Sequence, residues 1–446
     1  MKRLAQFAIF WGTILLAWAP NPAAQTADPA LMAEIHRIKA IDNHSHPPRV
    51  VGPGEKDDEF DVLPCYPLEP TPTNLTLRPE NPMYLAAWRA LWSYPYQDSS
   101  PGHIATVLAQ KKRAKEAQGD KYAGWVLDKL GIETELANRV AMGRGLVPPH
   151  FRWVPFDDAL LFPLNNDALA AETPDRKIFF AREGALLERY RKQLGVSALP
   201  ATLSDYTSRV VTPELEAQKR DGAVAIKFEA AYLRSLDFEP ADQRQAAATY
   251  AKYARGGAPD RAAYRSLQDY LFRYIAAEAG RLQLAVHIHT GAGCGGYFSL
   301  RDSEPLQLES LLNDASLRKT NFVLLHGGSG PFTRELTSLL LKPTVYTDLS
   351  EQTWMLEPRA LAAVLRDWLE AFPEKVLFGT DLFPGDGAYD WEEIGWQTAE
   401  TGRQALGIAL TGMMQDGEIS RAKAIEIARG VLRGNALKLY GWNDKP

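Results

Sequence analysis

Two histidines spaced two residues apart at the end of an apolar run can grip one metal ion. The sequence places His44 and His46 this way in I-D-N-H-S-H-P (41–47). Residues i and i+2 of a strand share a face, so both imidazoles would point at the same ion. Asp42 would point the same way and could accept a ring N–H or brace the strand. Three more histidines close apolar runs. His287 and His289 lie in L-Q-L-A-V-H-I-H (282–289), and His326 ends N-F-V-L-L-H (321–326). His289 is the outer of its pair and is the better ligand. His287 lies two residues deeper and reads as a hydrogen-bonded core histidine. The glycines after His326 could cradle a phosphate, but no Lys-Ser/Thr pair follows them. Asp381 ends F-G-T-D (378–381), where an acid serves as ligand, general base or helix N-cap. Lys227 lies near the end of A-V-A-I-K-F (223–228), where pairing with an acid is the plain alternative to a metal role. His36, His103 and His150 fit no such pattern. Imidazole and carboxylate suit zinc first, with manganese, iron or nickel open. A divalent ion lowers the pKa of its water from 15.7 to ~7. A neighbouring carboxylate can then move the proton.

These residues need a scaffold that brings strand ends together. Apolar, strand-like runs fall at 37–43, 137–142, 151–156, 223–228, 282–289, 321–326, 344–349 and 376–379. Helix-like stretches such as 264–280, 308–313 and 359–371 lie between them. Eight alternating units predict an α/β fold of the (β/α)8 TIM-barrel type, whose active sites sit at the C-terminal ends of the strands. A doubly wound sheet is the runner-up, but the Gly-rich fingerprint after the first run is missing. One barrel is expected over residues 31–441, with long βα-loop insertions at about 50–130 and 160–220. Such insertions build lids or substrate walls. Trp88, Trp92 and Tyr94 could line the mouth from the first, although their spacing also fits core packing. The tail, 419–440, reads as closing helices.

Composition narrows the function. The chain has 446 residues, 46% hydrophobic and 24% charged, which is globular usage. Its net charge is −5 with no basic block, so a dedicated nucleic-acid binder is excluded. Two cysteines, Cys65 and Cys294, cannot staple a small scaffold or form a four-cysteine zinc site. Lys2 and Arg3 precede an uncharged, mostly apolar run over 4–19, then Pro20, Pro22 and small residues. That order predicts a secretory signal peptide over 1–24, cut near Ala24. The run is short for a membrane span. The mature chain is therefore expected to be secreted or periplasmic, with no stable membrane span.

Jointly, His-x-His, Lys, His, His and Asp at the ends of runs one, four, five, six and eight resemble the amidohydrolase superfamily. The closer likeness is to its amidohydrolase-related branch, which includes a domain fused to glutamine-synthetase-like proteins. Besides the motifs above, G-I-E-T-E-L-A-N-R (131–139), F-R-W-V-P-F-D-D-A-L (151–160), A-V-A-I-K-F-E-A-A-Y-L-R-S-L (223–236), H-I-H-T-G (287–291) and L-H-G-G (325–328) carry it. The resemblance spans roughly 33–441. It implies that His44, His46 and Asp381 hold the more buried ion and that His289 and His326 hold a second. It implies that Lys227, when carbamylated, bridges the two. In single-metal members the strand-five histidine joins the first ion, and the strand-six histidine helps activate water or substrate. One or two divalent ions, zinc foremost, are thus implied, with Asp381 and His326 as the catalytic groups. An unmodified Lys227 contacting substrate is the alternative.

The implied reaction is hydrolysis of an amide, lactone, ester or related C–N/C–O bond of a small molecule. Arg234 could hold a substrate carboxylate with its bidentate fork, assisted by Tyr232. A salt bridge and a packed ring are the plain alternatives. Two other functions stand beside hydrolysis: a single-metal decarboxylase of the same superfamily, and a barrel that binds ligand without catalysis. Cys65 and Cys294 fall in loops after strands one and five, on one face of the barrel. In an oxidising compartment they could pair over the site, but strand geometry alone does not bring their Cα atoms within ~7 Å. The sequence leaves both a monomer and a homo-oligomer open.

Overall fold

A computed structural model describes residues 26–52 and 54–442, so the expected signal peptide lies outside the described residues. Among these residues are eight strands, with helices between all neighbours except β2 and β3: β1 (Ala40–Ser45), β2 (Ile132–Asn138), β3 (Phe151–Val154), β4 (Ala225–Phe228), β5 (Ala285–His289), β6 (Phe322–Leu325), β7 (Val345–Asp348) and β8 (Val376–Leu377). Each pairs in parallel with its sequence neighbour within β1–β3 and within β4–β8. Bridges at Trp153/Ala223 and Phe156/Lys227 join β3 to β4. On the other side, Asn43 N donates to Phe378 O (2.9 Å), Asp381 N to His44 O (2.8 Å) and His46 N to Leu382 O (2.8 Å). These bonds close the ring, and the fold is a (β/α)8 barrel.

The strands are apolar because both of their faces are buried. An inner cluster of Ile41, Leu136, Val154, Val323, Leu325 and Leu377 fills the barrel, and Ala436 and Leu439 of the tail helix Asn435–Tyr440 plug its lower end. The larger outer cluster packs strands against helices such as Arg261–Arg281 and Pro358–Ala371. Asp42 does not face the barrel mouth. Its carboxylate accepts from Thr380 N (2.9 Å), Thr380 Oγ1 and His44 N (3.3 Å), which ties β1 to the segment after β8.

Several strands are shorter than the sequence runs, and the first two boundaries differ for clear local reasons. The first run starts at Ala40 rather than residue 37, because Pro29–Arg37 is a helix capped by Asp28. The second spans Ile132–Asn138 rather than 137–142. Gly131, at φ 69°, ends the helix Tyr122–Leu130 and the strand begins at once. Glu133 and Glu135 disguise that strand in the sequence, yet Glu135 is fully buried.

The insertions divide their work. Trp88, Trp92 and Tyr94 of the first are core, the plainer of the two readings their spacing gives. Trp88 Nε1 donates to Ala388 O (2.8 Å) and Trp92 Nε1 to Glu393 Oε1 (2.6 Å). They fasten the first insertion to the long helix Trp391–Gln415 and the loop before it. The second insertion lines none of the central cavity. Its helix Pro174–Gln193 supports the cavity wall from behind, with Phe179 against Tyr232 and Arg182 against Tyr66. Among the described residues, no helix is long and apolar enough to cross a membrane.

Candidate metal centre

The strand ends open into a cavity of about 510 Å³ whose lining includes His44, His46, Lys227, His289, His326 and Asp381. All six sequence-derived ligands therefore converge. Donor atoms of His44, His326 and Asp381 lie within 4.8 Å of one another. His44 Nε2 is 3.3 Å, and His46 Nε2 3.6 Å, from Asp381 Oδ1. Ring centroids are 5.0 Å apart for His44–His46, 5.1 Å for His44–His326 and 4.6 Å for His289–His326. Lys227 Nζ lies 3.3 Å from His44 Nε2 and 3.5 Å from Glu229 Oε1.

Hydrogen bonds decide which ring nitrogen is free. His289 Nε2 donates to Ala292 O (2.7 Å), because a carbonyl can only accept, so Nδ1 keeps its lone pair. Ser350 Oγ donates to Asp348 Oδ1 (2.6 Å) and so accepts from His326 Nδ1 (2.9 Å), which leaves Nε2 free. His46 Nδ1 faces Phe60 O (3.4 Å) and Asp61 Oδ2 (3.7 Å), leaving Nε2 toward Asp381. Orienting partners of this kind are what metal-binding histidines need. Burial, with the Lys227 charge adding to it, pushes His46 down to about 3 and His289 well below its usual range. Burial likewise lowers His44 and His326. All four imidazoles are thus neutral at pH 7, the form that ligates. Burial also holds the Asp381 carboxyl well above the usual carboxylate range, with Glu351 adding and Lys227 opposing. Neutral imidazoles and a carboxylate, converging with lone pairs inward, fit a divalent cation.

Backbone strain marks the same place. Of five non-glycine residues with positive φ, three line the cavity: His326 (64°), Glu351 (61°) and Asp381 (55°). Gly327 (φ 57°) makes the turn after β6; a Cβ there would come within 2.1 Å of the Trp368 ring. Those glycines therefore serve a tight turn against a helix. Cys65 and Cys294 form a disulfide with Cα atoms 5.9 Å apart, fastening the first insertion to the β5 loop at the cavity edge.

Tyr232 lines the cavity, its ring 4.8 Å from that of His289, and its hydroxyl accepts from Cys294 N (3.3 Å). Arg234 does not reach the cavity, contrary to expectation. Its guanidinium donates to Gln268 Oε1 (3.1 Å), Asp269 Oδ1 (2.7 Å), Asp237 O (2.8 Å) and Ser235 O (3.0 Å). It also stacks on Phe238. All three guanidinium nitrogens are engaged, so the group is structural. His287 is core, as expected, and bonds Tyr440 (2.8 Å).

Sequence reasoning missed Asp61, Glu229, Glu351 and the aromatic walls. Glu229 follows Lys227 by two residues, so the spacing rule that found His44 and His46 would have found it. Its carboxylate, with those of Asp61 and a His46 nitrogen, forms a second group whose donor atoms lie within 4.8 Å. Glu229 Oε2 is buried without a hydrogen-bond partner. Asp61 and Glu351 come from irregular segments and carry no periodic signal.

A parallel eight-stranded barrel with imidazoles and a carboxylate gathered at its C-terminal mouth defines a class of metal-site barrels. A model of the family described as amidohydrolase matches residues 195–442, more than half of the chain. The chain belongs to the amidohydrolase family, and that family implies a divalent metal. A relative, protein fluG of Emericella nidulans, is 30% identical over 237 residues, covering 50% of this chain and 26% of that protein. The chain thus spans about a quarter of that relative's length. A solved structure described as a metal-dependent hydrolase, from Lactobacillus casei, superposes with TM-score 0.58 at 16% identity, covering 93% of this chain and 98% of that one. The uronate isomerase of Thermotoga maritima gives 0.55 at 14% identity, covering 93% and 98%. At these identities the two structures share the fold.

Proposed function

We propose that this chain is an exported metal-dependent hydrolase that cleaves an amide, ester, lactone or related C–N/C–O bond of a small molecule. The observation that carries the proposal is the meeting of His44, His326 and Asp381 donor atoms within 4.8 Å at the barrel mouth. His44, His46 and Asp381 would hold one ion, zinc first, and His289 and His326 a second. When bound, such an ion supplies Lewis acidity that makes water a nucleophile near neutral pH. Asp381 takes the proton from the attacking water and returns it to the leaving nitrogen or oxygen. His326, oriented by Ser350 through Nδ1, would use Nε2 to hold the cation whose charge polarises the attacked carbonyl oxygen. Lys227 would either help hold metal as a carbamate or keep its contact with Glu229, and metal counts with and without bicarbonate separate these states. The Cys65–Cys294 disulfide supports an oxidising, exported location.

The test is a panel of amides, esters and lactones run on metal-reconstituted protein with bicarbonate present. Metal-dependent hydrolysis that Asp381→Asn abolishes is expected. Release of carbon dioxide with one equivalent of metal would point instead to a decarboxylase. Ligand binding without metal or turnover would point to a binding barrel. A decarboxylase, or an isomerase of a uronate, must hold a carboxylate, and among the described residues the lining supplies no arginine for one.

A further inference from the structure

We infer that this cavity takes an uncharged or basic acyl compound bearing an aromatic group and discriminates against anionic substrates. The inference rests on the reading that the cavity is the catalytic site. Its outer wall carries Phe60 and Tyr66 from the first insertion, Trp354 from the loop after β7 and Phe383 from the loop after β8. Phe60 and Tyr66 lie 6.2 Å apart between centroids, and Trp354 meets Phe383 edge to face at 5.8 Å. Four aromatic rings from three loops form an apolar rim around a polar floor, the pattern of a pocket that binds a ring and reacts with its polar substituent.

Acidic side chains outnumber basic ones on the lining. Asp61, Glu229, Glu351 and Asp381 all contribute carboxyls. Lys227 is the single lysine among the lining residues; it is fully buried and already lies against His44 and Glu229. No arginine lines the cavity among the described residues. Of the nearby arginines, two are committed to other partners and the third, Arg182, lies outside the lining. Arg234 is saturated as described above. Arg139 holds Asp57 with both terminal nitrogens (2.9 Å each). Arg182 stands behind Tyr66, donating to its hydroxyl (3.0 Å). A carboxylate or phosphate on the substrate would lose its hydration, meet several acids and find no fork to receive it. An uncharged ring loses nothing comparable, and an ammonium group would gain partners.

Four hydroxamates test this on the full metal-loaded chain, with dissociation constants read by calorimetry. They are acetohydroxamate, benzohydroxamate and the para-carboxy and para-aminomethyl forms of the latter. Benzohydroxamate is expected to bind at least about tenfold tighter than acetohydroxamate, and the para-carboxy form at least about tenfold weaker than its parent. The para-aminomethyl form should equal or exceed the parent. Tyr66→Ala and Phe383→Ala should shrink the aromatic advantage, read as the ratio of benzohydroxamate to acetohydroxamate affinity. Tighter or equal binding of the para-carboxy form overturns the inference, and so does failure of all four to bind. Because binding needs no turnover, a chain that follows this order yet hydrolyses nothing keeps the inference and loses the hydrolase reading. One that hydrolyses carboxylated substrates best does the reverse.

Discussion

His287 and His289 sit two residues apart on one strand, face the same barrel interior and have opposite fates. His287 lies in the lower layer. Its Nε2 donates to Tyr440 Oη (2.8 Å), which donates in turn to Asn43 Oδ1 (2.5 Å). Asn43 Nδ2 donates to Asp348 Oδ2 (2.9 Å), whose other oxygen accepts from Ser350 Oγ and His326 N. A polar thread thus runs from the tail helix up to the floor of the site. His289 lies in the upper layer, where ring lone pairs converge, three residues are held at positive φ and a cavity opens. Residue type and strand position are the same in the two cases. The difference is what lies beside the ring. Below, Tyr440 ties His287 into the polar thread, its Nδ1 is shut in the packed interior away from the cavity, and the histidine is structural. Above, His289 opens onto the cavity together with His44, His326 and Asp381.

The largest way to sharpen this contrast is Asp381→Asn. Activity should fall by about 10²–10⁴-fold, with metal content reduced and the thermal midpoint of the metal-free protein little changed. Elemental analysis alongside differential scanning calorimetry checks this. The clasp comes next. Replacing Cys65 and Cys294 together by serine opens a bridge across 229 residues of sequence. About 2–4 kcal/mol of unfolding free energy should be lost in urea titrations, and reducing agent should reproduce the loss in the wild type alone. Tyr440→Phe probes the lower layer. It leaves His287 and Asn43 each short of a partner, so about 1–3 kcal/mol should be lost with metal stoichiometry intact. Loss of metal in that variant would erase the distinction between the layers.

The subtlest readout is acid stability. Burial, with the Lys227 charge adding to it, pushes His287 down to about 3. An unfolded histidine titrates near 6.5. The folded state therefore binds fewer protons between these values, so the histidine's contribution is complete above about pH 6.5 and fades as pH falls. The stability gap between wild type and His287→Gln should shift against the wild type by up to about 1.4 kcal/mol per pH unit below 6.5. Parallel denaturation curves at every pH would show that His287 is already charged or exposed.

Much of the site was legible because barrel architecture turns sequence order into spatial order. His44, His46, His289, His326 and Asp381 close apolar runs, and strand ends in a (β/α)8 fold meet at one mouth. Lys227 needed the same logic and nothing more. Arg234 was misplaced because its segment leaves the strand in a short helical turn, Ala230–Tyr232, and passes outward to Asp269. β2 was misplaced because an acid fully buried inside a barrel, Glu135, looks like a surface residue in sequence.

The amino-acid order alone determined the alternation of strands and helices, the ligand types and their layer, since these follow from local periodicity and from burial of both faces of parallel strands. Only the tertiary structure decided which nitrogen each histidine leaves free, that Cys65 meets Cys294, and that Asp61, Glu351 and four aromatic rings complete the cavity. Those outcomes depend on pairs of groups far apart in the chain. No periodicity records such pairs, because they exist only once the barrel has closed and its loops have packed over the mouth.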